Sequence, residues 1–269
     1  MINAQVMAVD GSTRRLSRRR LRTCSYKACV VSVVGLHTET LNIWTHMLGA
    51  AWFGCGTVRF AADCTKPLTY DAAAVLVYLG ATALCFASST LYHVFADHVH
   101  ADVWLRVDHF GIVCAIWASS VSFAVFSFDC RRGEAWVCVA FVTAAAARCL
   151  ARLWNMQEYG TKGRTERLCS HMALGGLAAV PGLRCWHLHK LGQHVELLRE
   201  FWTLVAINSM GGGIYATHIL DKAIGMELGL PDASHHVMHV MVVAGAWIYG
   251  QGLLAVFQAR AAGVTGLCI

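Results

Sequence analysis

Apolar residues run in long blocks along this chain, separated by short polar hinges. Stretches of roughly 20 mainly apolar residues recur at about 43–62, 70–95, 105–128, 135–151, 168–186, 201–219 and 236–258. Each block is long enough to cross a bilayer as a helix, the form in which a single segment pairs its own backbone groups. The pattern predicts an all-α fold, a seven-transmembrane helix bundle. Two blocks are interrupted: the first carries Arg59, and the fifth carries His171, Pro181 and Arg184. Six spans is the alternative. Gly211, Gly212 and Gly213 in the sixth block let a neighbouring helix or a ligand approach the backbone, and plain helix contact is the simpler reading. Short hinges leave room for one integral domain over 37–260, preceded by an arm over 1–36 and followed by a tail over 261–269.

Composition points the same way. The 269 residues are 57% apolar and 14% charged, against about 45–50% and about 25% in soluble domains, and the mean hydropathy is +0.50. The chain reads as an integral, multi-pass protein of the plasma membrane or an endomembrane. Of 22 Lys and Arg residues, fourteen fall on the side that holds the amino-terminal arm and eight on the other. The positive-inside rule then places the amino terminus in the cytoplasm and the carboxyl terminus outside or in a lumen.

The arm, GSTRRLSRRRLRT, has no apolar core and does not read as a cleaved signal. Its Arg and Ser content also suits an organelle transit peptide, but a basic flank that sets topology accounts for the same residues. Contact with anionic headgroups is a natural second role, and nothing beyond charge points to nucleic acid. The 12 cysteines are scattered, most of them within spans, and read as small helix-packing residues rather than a disulfide framework. There is no CxxC, phosphate-cradling glycine loop or GxSxG elbow, so the chemistry is left to histidines and carboxylates.

Those residues collect at one face. The seventh span opens with SHHVMHV, in which His235 and His239 are four apart and share a helix side. His236 points about 100° away, although His236 with His239 forms a second pair at a spacing of three. The second span ends with Ser89 and His93 in SSTLYHVF, and the third begins with Asp108 in RVDHFGI. Seven spans bring His93, Asp108, His235 and His239 to the cytoplasmic face. Imidazoles with an open fourth position suit a zinc ion that activates water, whereas closed structural sites more often recruit thiolates. Iron, manganese or copper fit the same ligand types.

The same residues carry a family resemblance. HTETLNIWTHMLGA at 37–50, Ser89 with His93, Asp108 ahead of Gly111 and Ile112, and Ser234 with His235 and His239 are similar to the ordered motifs of the progestin and adipoQ receptor family. That group includes adiponectin receptors and haemolysin III-like proteins. The resemblance implies seven helices with a cytoplasmic amino terminus and zinc held by His93, His235 and His239. It also implies that Asp108 meets the metal or its water, that Ser89 belongs to the site, and that His235 rather than His236 is the ligand. Two departures stand out. Where the family often has His-x-Pro-Glu followed by a basic residue, this chain has His218, Ile219, Leu220, Asp221 and Lys222, and His109 adds an imidazole near the site. Glu39, Asn42 and His46 match the opening motif and read as polar packing at the membrane boundary.

Two classes of function follow. As an enzyme, the chain would hydrolyse a lipid amide such as a ceramide, with zinc polarising the carbonyl, Asp108 orienting or deprotonating water, and Ser89 holding the developing oxyanion. As a receptor, it would use zinc to pin the second, third and seventh spans while an extracellular ligand shifts the bundle. A haemolysin-like membrane protein is the third reading.

Overall fold

Apart from one isolated bridge between Thr23 and His98, every regular element among the described residues is helical. The computed structural model describes residues 19–64, 68–156, 160–193, 195–221, 223, 230 and 232–263. Its helices are α1 Tyr26–Ser32, α2 Thr40–Asp63, α3 Tyr70–Val94, α4 Ala101–Ser127, α5 Arg132–Asn155, α6 Gly160–Ala178, α7 Val180–Lys190, α8 Leu198–Thr217 and α9 Ala233–Ala261. Six apolar blocks correspond to α2, α3, α4, α5, α8 and α9, and the fifth block to α6 and α7 together. α3, α4, α9 and the segment Asp129–Asn155 are each long and apolar enough to cross a membrane.

Local chemistry sets several of these boundaries. The Ser25 hydroxyl accepts the Ala28 N–H at the start of α1, and Thr69 accepts the Ala72 N–H at the start of α3. Asp71 adds a negative charge where the helix dipole is positive. The fifth block breaks at Ala179 because Pro181 has no N–H and its ring crowds the preceding turn. Ser120 on α4 donates to the Ala178 carbonyl at 2.8 Å, so the break is not left unpaired.

α3 is the hub. It packs against α2 and α4, and α9 closes the bundle against α2, α3 and α8. The core they share is largely aromatic: Phe53, Tyr78, Phe86, Phe123, Phe201 and Tyr249 lie within it. Phe123 and Phe201 stack with centroids 4.1 Å apart. Buried hydroxyls find carbonyls: Tyr78 donates to Ala246 at 2.7 Å and Tyr249 to Ser119 at 3.1 Å. The outer surface is apolar, with Trp52, Val58, Val137 and Phe141 exposed, as a lipid-facing wall requires. Gly211 faces α9, where an added methyl would come within 3.4 Å of Met241, whereas Gly212 and Gly213 have nothing near.

Because the helices alternate in direction, the end of α3 and the starts of α2, α4 and α9 share one face. At Gly111 α4 comes close to α3, since a methyl there would collide with the Ser88 hydroxyl and lie 2.9 Å from the Cys85 backbone. That contact, one turn along α4 from Asp108, brings Asp108 against Ser89.

Among the described cysteines, Cys29, Cys85, Cys149 and Cys185 are buried and free, in keeping with a packing role. Cys130 departs from the expectation. It lies in the turn between α4 and α5 and is disulfide-bonded. Spacing alone does not reveal pairing, which depends on distance in space.

Candidate metal centre

His93 ends α3, and His235 and His239 occupy the first two turns of α9. One ring nitrogen from each lies within 4.8 Å of the other two. The His235 and His239 Nε2 atoms are 3.1 Å apart. Two ligands on a tetrahedral zinc with bonds of about 2.0–2.1 Å would be about 3.3 Å apart, so the pair fits a shared ion. The His93 ring centroid is 5.2 Å from that of His235 and 4.8 Å from that of His239. His93 and His239 are each 2% exposed, so their desolvation demands a partner.

The second layer of contacts fixes one tautomer. His93 Nδ1 lies 2.8 Å from Glu39 Oε2, so its N–H donates to the carboxylate and leaves Nε2 free as a lone-pair donor. Asn42 Nδ2 donates to the same Glu39 oxygen at 3.2 Å. The hydrogen bonds from His93 Nδ1 and Asn42 offset the cost of burying the Glu39 carboxylate. Glu39, expected to be boundary packing, therefore touches a candidate ligand. The rule that a metal-binding imidazole donates its other N–H to a carboxylate was the signal that could have found it.

Asp108 is 9% exposed and lies beside Ser89 and near His93. Its Oδ1 is buried without a partner. Around it sit more unpaired polar atoms: both nitrogens of His46, Oδ1 of Asn42 and Nδ1 of His239. His46 stacks flat on His239, with centroids 3.8 Å apart. Buried polar atoms are nearly always satisfied, so this concentration marks a place built to receive water or a polar ligand.

His236 turns away from the group, and its Nε2 donates to the Thr38 carbonyl at 3.1 Å. His109 also lies apart. It pairs with His171 on α6, Nδ1 to Nε2 at 3.3 Å, while His171 Nδ1 donates to the Arg167 carbonyl at 2.9 Å.

Ser234 and the departure at 218–222 prove to be one device; Lys222 lies outside the described residues. The Asp221 carboxylate accepts the Ser234 N–H at 2.9 Å, and the Ser234 hydroxyl accepts the N–H groups of Leu220 and Asp221 at 3.1 and 3.3 Å. His218 donates from Nδ1 to Asp221 at 2.8 Å and accepts from Arg164 at 2.9 Å. The Arg164 guanidinium also covers Tyr215, whose ring is 5.0 Å from that of His235. These contacts anchor the start of α9, and with it His235.

Comparison with known proteins agrees with this architecture. A family model described as haemolysin-III related matches residues 34–249. The chain is 25% identical over 247 residues to the progestin and adipoQ receptor-like protein 1 of Caenorhabditis elegans, covering 88% of this chain and 56% of that protein. It is 24% identical over 233 residues to heptahelical transmembrane protein 1 of Arabidopsis thaliana, covering 82% of this chain and 70% of that one. The adiponectin receptor protein of Drosophila melanogaster is 21% identical over 235 residues, with 85% of this chain and 53% of that one covered. The chain thus spans little more than half the length of two of these relatives. With the match running through all four motifs and the helices that carry them, the chain belongs to the haemolysin-III-related family of multi-pass membrane proteins, the group of the progestin and adipoQ receptors.

Proposed function

We propose that this chain is a zinc-dependent amidohydrolase of the bilayer whose substrate is a ceramide or similar lipid amide. The observation that carries the reading is the meeting of three imidazoles with a buried, partly unpaired carboxylate at the same end of the bundle. His93, His235 and His239 would hold the ion. Three neutral nitrogen donors with room for a fourth ligand suit zinc. Once bound, zinc would supply Lewis acidity, polarising a carbonyl and making water more acidic.

The protein's own groups perform the proton work. Asp108 accepts a proton from the attacking water and returns it to the leaving nitrogen, so amide and water become fatty acid and amine. Ser89, which lies beside Asp108, would orient the carboxylate through its hydroxyl. Its nearness to Asp108 favours an orienting role over the oxyanion contact suggested by its place on the helix. Glu39 keeps His93 in the tautomer that presents Nε2.

The amino terminus is read as cytoplasmic. The excess of Lys and Arg on its side supports this. A tag after Met1 should be shielded on intact cells and one after Ile269 reachable; same-side tags would overturn it.

The decisive experiment is ceramide hydrolysis by purified protein, followed as released fatty acid, with Asp108→Asn beside wild type. Metal content should survive the substitution and the rate should fall by about 10²- to 10⁴-fold. Full hydrolysis by Asp108→Asn would refute the mechanism. A metal-loaded wild type that hydrolyses no lipid amide would favour the second reading, a receptor in which the ion pins α3 to α9. The receptor names of the relatives favour that reading.

A further inference from the structure

The basic arm has a part that charge counting does not explain. Arg20 leaves the cluster of arginines and reaches the end of α3, where its side chain is 10% exposed. Its Nη2 donates to the His93 carbonyl at 2.7 Å and its Nη1 to the Val94 carbonyl at 2.9 Å. Nη1 also reaches the Ser32 hydroxyl at 2.9 Å, and Nε donates to Asp97 Oδ2 at 2.9 Å. The adjoining backbone is tied down too: the Thr23 N–H donates to the Asp97 carbonyl and the Val99 N–H to the Thr23 carbonyl, both at 3.0 Å.

We propose that Arg20 is a positioning residue of the metal centre, holding the last turn of α3 so that His93 presents its ring at a fixed place. The last four carbonyls of a helix have no partner within it and carry the negative end of its dipole. His93 lies in that last turn, where fraying would move a candidate ligand. A guanidinium is suited to the task because its planar fork serves several acceptors at once and keeps its charge. His93 is then held from two sides, its carbonyl by Arg20 and its Nδ1 by Glu39. Arg20 touches neither the ligand nitrogens nor Asp108, so its effect on metal passes through the backbone of α3.

This inference rests on the metal-centre reading, and the test separates the two. The full chain is purified in detergent, stripped with a chelator and titrated with Zn2+, and with Co2+ whose visible absorption reports ligand geometry. Arg20→Ala should weaken Zn2+ binding by about 10- to 100-fold, the usual consequence of losing a supporting contact around a metal site, and should alter the Co2+ spectrum. Arg20→Lys should recover part of the affinity, since a single ammonium can meet one carbonyl but not the whole set.

Arg260→Ala, at the far end of the bundle, controls for general loss of stability and should bind Zn2+ like wild type. Wild-type affinity in Arg20→Ala would overturn the inference while leaving the metal centre intact. So would an equal loss in Arg260→Ala. Should Arg20→Ala fail to fold, Asp97→Asn removes the charge that orients the guanidinium, and it should show a smaller loss in the same direction; no loss would count against the proposal. If wild type binds neither ion, the metal-centre reading fails and this inference falls with it.

Discussion

The two ends of the bundle both bury charged and polar groups, yet they treat them differently. At the end away from the histidines, Arg260 of α9 is met on every side. It donates to Asp71 at 3.0 Å, to Glu196 at 2.8 Å and to the Phe126 carbonyl at 2.6 Å, and it covers the Phe126 ring. One residue thereby ties α9 to the start of α3, the end of α4 and the turn before α8. At the histidine end, His46, Asn42, Asp108 and His239 all keep buried polar atoms without partners. A cluster that serves stability completes its own hydrogen bonds, because each unpaired buried group costs free energy. A cluster left open at several atoms around three convergent imidazoles is arranged for something the chain does not itself supply.

The sharpest way to break this comparison is to remove one imidazole. His235→Ala deletes a direct ligand and should abolish stoichiometric metal retention, as measured by elemental analysis of the purified protein. His236→Ala loses only the bond to Thr38, worth about 1 kcal/mol, and should retain metal. Equal retention in both variants would mean the histidine end is no more open to an ion than the arginine end.

Arg260→Ala should produce the next largest effect, on stability rather than metal content. Breaking a buried ion pair by deleting one partner costs about 3–5 kcal/mol. The lower part of that range is expected here because Asp71 and Asp129 retain some solvent contact, at 22% and 20% exposure. The apparent Tm should fall clearly while Zn2+ stoichiometry stays at the wild-type value. Loss of both together would show that the two ends are one cooperative unit.

The smallest effect is expected at Asp221. Burial alone would raise its carboxyl, but the Ser234 N–H and the His218 imidazole outweigh burial and hold it below the ordinary value of 3.8. A depressed carboxyl stabilises the fold above its unfolded pKa, and the contribution is lost as pH falls through the folded value. Asp221→Asn should therefore lower the apparent Tm modestly at neutral pH and flatten the acid side of the Tm profile below about pH 4. An acid side identical to that of wild type would show that Asp221 does not anchor α9.

Much of this molecule is written in its sequence because the bilayer leaves few alternatives. A segment with no water to bond must pair its own backbone, so the apolar blocks found the helices and the short hinges found the alternation that gathers His93, Asp108, His235 and His239 at one end. Even the weak fifth block was legible in part, since Pro181 marks where α6 gives way to α7. Helix spacing also told His236 apart from His235 once the family register was added.

What only the tertiary structure decided were contacts between residues distant in the chain. Glu39 meets His93 across 54 positions and Arg20 meets its carbonyl across 73. Neither shows in any local period, because a hydrogen bond between helices depends on their packing and not on spacing along either one. His109 could be placed near the site by its neighbour Asp108, but the helix turns it toward His171 instead. The sequence determined which residues stand at each end of the membrane, through the hydrophobic demand on each span. The packing of α3 against α2, α4 and α9 determined which of them touch.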